Sequence, residues 1–322
     1  MGRRGGRRAA RHRHAQRDGG DRSGAERSPS LAAVLAAVWQ SLRPRQWVKN
    51  LFVFAGLVFG QKLLTPAIVP AVATFAIFCA LSGAVYLLND VADRDQDRLH
   101  PAKRARPIAA GRLSAGGAVA VAIVLIAGGV LAGAAIDRRL ALVAGAYAAL
   151  LGAYSAWLKH LVIVDVIVVA IGFVLRAVAG AVAIDVQISG WLLICTVLIA
   201  LFLALGKRRH EYLTLGAEAG RHRPILAEYS TGLLDQMIAV VTASTVTAYA
   251  LYTMSPETVA KFDTPLLAVT LPLVLYGIFR YLYLLYRREM GGNPSELFLN
   301  DRPLLLNTLL WILTVVLVIY WL

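Results

Sequence analysis

Residues 66–97 read PAIVPAVATFAIFCALSGAVYLLNDVADRDQD. The apolar run up to Leu88 is as long as the ~20 residues a bilayer crossing needs. It leads straight into Asn89, Asp90, Asp93, Asp95 and Asp97. If one helix carries through, Asn89, Asp93 and Asp97 stand at i, i+4 and i+8 on one face. Asp90 lies beside that stripe and Asp95 points elsewhere. Converging carboxylates repel one another unless cations sit among them. Hard oxygen donors select Mg²⁺, which keeps some of its waters and is commonly shared with substrate phosphates. A solvated acidic helix end is the plain alternative, but idle charge at a membrane boundary is costly. The stretch therefore predicts a metal–diphosphate site.

Outward from this stretch the whole chain is apolar. Of its 322 residues 58% are hydrophobic, and mean hydropathy is +0.63, far from the soluble average. The reading is an all-α polytopic membrane protein with one membrane-embedded domain over 31–322. Residues 1–30 are rich in Arg, Gly, Ser and His and lack the apolar side chains of a core, so a disordered basic arm on anionic lipid is expected. The arm has no aromatic interleaving, and no nucleic-acid partner is expected. Neither a twin-arginine signal nor a myristoylation site is completed there. The two cysteines, Cys79 and Cys195, sit inside apolar runs and offer no metal spacing or disulfide framework.

Residues 31–42 are too short to span and read as an interfacial helix. Nine spans follow, near 47–64, 67–89, 116–136, 139–157, 162–184, 189–206, 235–255, 265–286 and 303–322. Loops after the even-numbered spans hold fifteen Lys and Arg, and the opposite loops four. The positive-inside rule puts the rich loops, the N-terminus and the Asp stretch in the cytoplasm. The two long loops, after spans two and six, lie on that side, so the chemistry is expected there.

In the first long loop, Lys103 and Arg106 belong to a cation cluster placed to neutralise phosphate oxygens that a metal leaves uncovered. The second begins Gly206-Lys207-Arg208-Arg209-His210-Glu211, where Lys207, Arg208 and Glu211 form one polar helix end; Arg221, His222 and Arg223 read as surface charges. Between spans four and five stand Tyr154, Lys159 and His160. Asp165 and Arg176 share a helix face three turns apart, about 16 Å, too far to pair. Arg176 is near mid-bilayer, so each needs an interior partner or a substrate. Lys49 and Asn50 open the first span; Lys49 is a candidate substrate contact, with snorkelling as the plain alternative. Asn300-Asp301-Arg302-Pro303 reads as a helix start. No nucleophile with an ordered base and no P-loop is present.

These residues resemble a known family. Nine spans, with Asn89-Asp90-x-x-Asp93-x-x-x-Asp97 at the end of span two, resemble the UbiA superfamily of membrane prenyltransferases over residues 43–322. Arg43-Pro44-Arg45-Gln46-Trp47-Val48-Lys49-Asn50, Tyr154-Ser155-x-x-Leu158-Lys159-His160, the Asp165 to Gly180 span and Gly206-Lys207-Arg208-x-x-Glu211 resemble its decaprenyl-phosphate phosphoribosyltransferase branch. The resemblance implies transfer of 5-phosphoribose from phosphoribosyl diphosphate to a polyprenyl phosphate, for arabinan precursors of the cell wall, in a bacterial plasma membrane. It assigns Asn89, Asp93 and Asp97 to Mg²⁺–diphosphate binding, with Asp90 beside them on a metal-bound water or a ribose hydroxyl, and leaves room for a homo-oligomer. Aromatic prenyltransferases of the superfamily usually carry a second acidic motif where this chain has Lys207-Arg208. That departure favours two phosphate-rich substrates. Prenyl transfer to an aromatic or tetrapyrrole acceptor is the alternative, and an ion-coupled transporter a more distant one.

Overall fold

A computed structural model describes residues 30–101, 103–215, 224–288 and 290–322. The arm at 1–29 and the Arg221, His222 and Arg223 group lie outside the described residues. Those described form helices and turns with no strand among them. In order they are α1 (Leu31–Ser41), a 3-10 stretch Pro44–Phe54, α2 (Ala55–Phe59), α3 (Ile68–Ala92), α4 (Arg94–Leu99), α5 (Ala115–Ile136), α6 (Arg138–Ala156), α7 (Val164–Ala183), α8 (Gly190–Leu215), α9 (Thr231–Met254), α10 (Pro256–Phe262), α11 (Leu271–Arg287), α12 (Pro294–Asn300) and α13 (Arg302–Trp321). Short polar caps start several of them. Ser30, Ser114, Asp137, Ser230 and Asp301 accept from backbone N–H groups of the first turn.

Among the described residues eight helices are long and apolar enough to cross a membrane, against nine spans read from the sequence. The difference is the first. Instead of one helix over 47–64, the chain runs as the 3-10 stretch and then the five-residue α2. Pro44 opens this stretch, and its buried Asn50 faces the interior rather than lipid. The backbone also lies hard against α7. A Cβ on Gly180 would stand 1.8 Å from the Val53 carbonyl oxygen, so only glycine permits this approach.

Several apolar cores hold the bundle, two of them beside the site. One joins Val53, Phe78, Leu81, Leu140, Tyr147 and Ala179; the other joins Phe202, Leu205, Leu234, Ile278, Tyr281 and Leu285. The perimeter is apolar as well, with Val124, Leu131 and Leu142 exposed. That suits a bundle whose surroundings are lipid, where buried polar groups must find partners within the protein. The ends of α3, α6 and α8 and the start of α7 meet at one end of the bundle, where Arg106 reaches Asp90 and Asp97 from the loop after α4.

Candidate active site

At the end of α3 the helix breaks for one residue. Asp93 has φ −93° and ψ 5° and separates α3 from α4. The i to i−4 pattern survives the break: Asp93 N donates to Asn89 O at 2.9 Å and Asp97 N to Asp93 O at 2.8 Å. The predicted stripe is therefore kept across a kink rather than along one straight helix. Asp95 is 91% exposed, away from it.

Each acid of the stripe meets a cation. Lys159 Nζ donates to Asp93 Oδ1 at 2.5 Å, and Asn89 Nδ2 donates to Asp93 Oδ2 at 2.9 Å. Arg106 Nη1 bridges Asp90 Oδ1 at 3.0 Å and Asp97 Oδ2 at 2.6 Å. Arg43 Nη2 donates to the same Oδ1 of Asp90. Asp90 and Asp97 are each 2% exposed, and an ionised carboxylate is tolerated at such burial because the guanidiniums are there. Among the described residues three oxygens of this group receive no protein donor: Asn89 Oδ1, Asp90 Oδ2 and Asp97 Oδ1. The sequence pattern makes Asp93 a principal metal donor. Here both of its oxygens are engaged, and the uncommitted carboxylate oxygens belong to its neighbours.

Lys103 lies within electrostatic reach of Asp97, Asp93 and Glu211. Burial, then the Arg106 guanidinium, hold its ammonium below the ordinary lysine range despite those acids. Lys103 thus links the stripe to a second cluster on α7 and α8. There Arg208 Nε donates to Asp165 Oδ2 at 2.6 Å, Nη1 to Glu211 Oε2 at 2.6 Å and Nη2 to the Tyr154 hydroxyl at 3.2 Å. Lys207 pairs with Glu211 Oε1 at 3.6 Å. The Tyr229 hydroxyl donates to Asp165 Oδ1 at 2.8 Å; burial pushes that phenol up to about 12, so it stays a neutral donor. Helix α8 runs on to Leu215, placing Lys207, Arg208 and Glu211 on the helix rather than in a loop.

Arg176 has the interior partners that its depth calls for. Its partners are all neutral: Asn50 Oδ1 at 2.7 Å, the Gly172 carbonyl at 2.8 Å and the Tyr147 hydroxyl at 2.6 Å. Its guanidinium carbon also lies 4.8 Å from the Tyr147 ring centroid. No interior carboxylate pairs with it among the described residues. Lys49 faces Arg176 and Arg43 and likewise meets no carboxylate among them. The inner wall therefore carries two cations, Arg176 held by neutral acceptors and Lys49 within electrostatic reach of it. Sequence reasoning missed the roles of Arg43, Tyr147 and Tyr229. Arg43 lies 47 residues from Asp90, and Tyr229 lies 64 from Asp165, separations that no local pattern bridges.

Acids and cations alternate around uncommitted oxygens at one end of a helical bundle, an arrangement suited to a divalent cation shared with a phosphorylated substrate. Residues 50–301 match the model of the UbiA prenyltransferase family. The chain belongs to that family. It is 34% identical over 290 residues to a decaprenyl-phosphate phosphoribosyltransferase of Corynebacterium glutamicum, covering 87% of this chain and 86% of that one. A Mycobacterium tuberculosis protein of the same name is 34% identical over 294 residues, covering 88% and 94%. In fold, it matches a UbiA homolog from Archaeoglobus fulgidus bound to GPP and Mg²⁺ with a TM-score of 0.69, at 20% identity, over 88% of this chain and 99% of that one. The chain is thus a multi-pass membrane transferase of the UbiA family.

Proposed function

We propose that this UbiA-family enzyme transfers 5-phosphoribose from 5-phosphoribosyl 1-diphosphate to a polyprenyl phosphate, releasing diphosphate. The observation that carries the reading is the division of charge. One cluster keeps carboxylate oxygens uncommitted, while the place of a second acidic motif holds Lys207 and Arg208. The names of the two relatives support the same choice.

In this reading Asn89, Asp93 and Asp97, with Asp90 beside them, hold Mg²⁺ together with the donor's diphosphate. The described residues gather no three acidic or His/Cys side chains able to hold an ion unaided, which suits a metal completed by substrate phosphates and water. Bound there, Mg²⁺ would supply Lewis-acid stabilisation of the departing charge. Lys103, Arg106 and Lys159 neutralise the diphosphate as its bond to the ribose anomeric carbon breaks. Tyr154, Lys207 and Arg208 receive the donor's 5-phosphate, with Asp165 and Glu211 orienting Arg208. Lys49, backed by Arg176, receives the lipid phosphate. A phosphate oxygen of the acceptor closes on an oxocarbenium-like carbon. That nucleophile is already anionic, so no general base is needed. The site faces the cytoplasm from a single domain over 31–322, by the positive-inside bias of its loops, in a bacterial plasma membrane, feeding arabinan precursors.

The test pairs labelled phosphoribosyl diphosphate with decaprenyl phosphate, and geranyl diphosphate with an aromatic acceptor, each with and without EDTA. A labelled lipid from the first pair alone, abolished by chelation, is the expected result. Product from the second pair alone would overturn the reading.

A further inference from the structure

The Arg43-Pro44 corner carries a feature that the transfer chemistry above leaves unused. Arg43 has φ 52° and ψ 63°, a left-handed conformation that residues other than glycine seldom adopt. The residue before a proline also favours extended backbone. The corner thus runs against two local preferences, and such strain persists only where surrounding contacts impose it.

Those contacts converge on α3. The Arg43 guanidinium lies 4.9 Å from the Tyr86 ring centroid and pairs with Asp90 Oδ1. Tyr86 and Asp90 stand at i and i+4, so the side chain lies along one helix face. On the other side the corner is tied to the start of α12: Gln46 Nε2 donates to Asn293 Oδ1 at 3.2 Å, and Ser295 Oγ donates to Gln46 Oε1 at 3.4 Å. Trp47 Nε1 closes the turn on Leu42 O at 3.2 Å. Arg106 grips the same Oδ1 of Asp90 from the opposite loop. With two guanidiniums on one oxygen, the carboxylate cannot rotate freely and Oδ2 is left as the oxygen without a protein donor among the described residues.

We propose that Arg43 is a positioning residue: the strained corner lays its guanidinium on Tyr86 and Asp90 so that Asp90 Oδ2 is presented to the metal or its bound water. This rests on the reading that Asp90 belongs to the metal–diphosphate rim. Groups that orient a ligand from behind typically carry about 10–100-fold in metal affinity.

The test titrates Mn²⁺, followed by electron paramagnetic resonance, into the full chain in nanodiscs with inorganic diphosphate present. Arg43→Gln is expected to weaken Mn²⁺ binding roughly 10–100-fold at a melting temperature matching wild type. Arg43→Lys keeps the charge without the planar fork and is expected to recover part of the loss. The sign is decisive, because removing a cation from beside a carboxylate would by Coulomb attraction alone tighten metal binding. Tighter or unchanged binding in Arg43→Gln would overturn the proposal. If Arg43→Gln does not fold, Arg43→Lys carries the test, and unchanged binding there overturns it. Asp90→Asn separates the two claims. Wild-type Mn²⁺ binding in Asp90→Asn removes Asp90 from the rim, whereas loss in Asp90→Asn but not in the Arg43 variants removes only the role of Arg43.

Discussion

The two charged clusters of this bundle use the same side chains to opposite ends. Around α3 and α4, Asp90 and Asp97 each give one oxygen to an arginine and keep the other uncommitted among the described residues. Around α7 and α8, Asp165 gives both oxygens away, to Arg208 and Tyr229, and Glu211 gives both to Lys207 and Arg208. The first has acceptor capacity left for a cation. In the second every carboxylate oxygen is already answered, which fixes Arg208 in place. Acidic residues near a membrane boundary thus become a ligand site or a brace according to whether their lone pairs are spent.

Three substitutions test that contrast. Asp97→Asn takes the charge from a carboxylate that pairs with Arg106 through one oxygen and keeps the other uncommitted among the described residues. It should lower kcat/KM for the phosphoribosyl donor by roughly 10²–10³-fold while leaving thermal unfolding close to wild type. Asp165→Asn should act first on stability, with turnover falling only as Arg208 loses a partner that orients it. Asp165 is 0% exposed and Arg208 4%, so neutralising Asp165 leaves a buried guanidinium with Glu211 as its remaining carboxylate partner, at a cost of up to about 3 kcal/mol in stability, read by unfolding in matched detergent. If Asp165→Asn abolished turnover without destabilising the fold, the brace would have to be reclassified as a ligand site. The smallest effect is a pH shift. Lys103 is held below the ordinary lysine range chiefly by burial, and its protonated form is the one that can neutralise phosphate. Activity should persist at lower pH and fall as pH rises through that depressed pKa. Lys103→Arg, charged throughout, should carry the alkaline limb of the profile to higher pH.

Much of this is legible in the sequence where local periodicity governs. Apolar runs place the long helices, and the 89–97 spacing keeps its stripe because the backbone hydrogen bonds cross the kink at Asp93. Legibility ends where distant chain fills a local need. The first span is apolar enough to read as a helix, yet Asn50 turns inward to Arg176, Cys79 and Ser82 and the backbone presses on Gly180. Arg176's depth in the bilayer leads one to expect an interior partner or a substrate; the partners are a carboxamide, a carbonyl and a phenol. Such partners carry no charge pattern by which a sequence could announce them.

Anomalous scattering from Mn²⁺ in crystals grown with diphosphate would test the division between the two clusters most directly. The account predicts a peak within metal–oxygen bonding distance, about 2–2.5 Å, of Asp90 or Asp97 beside α3 and α4. A peak at Asp165 or Glu211 instead would contradict it.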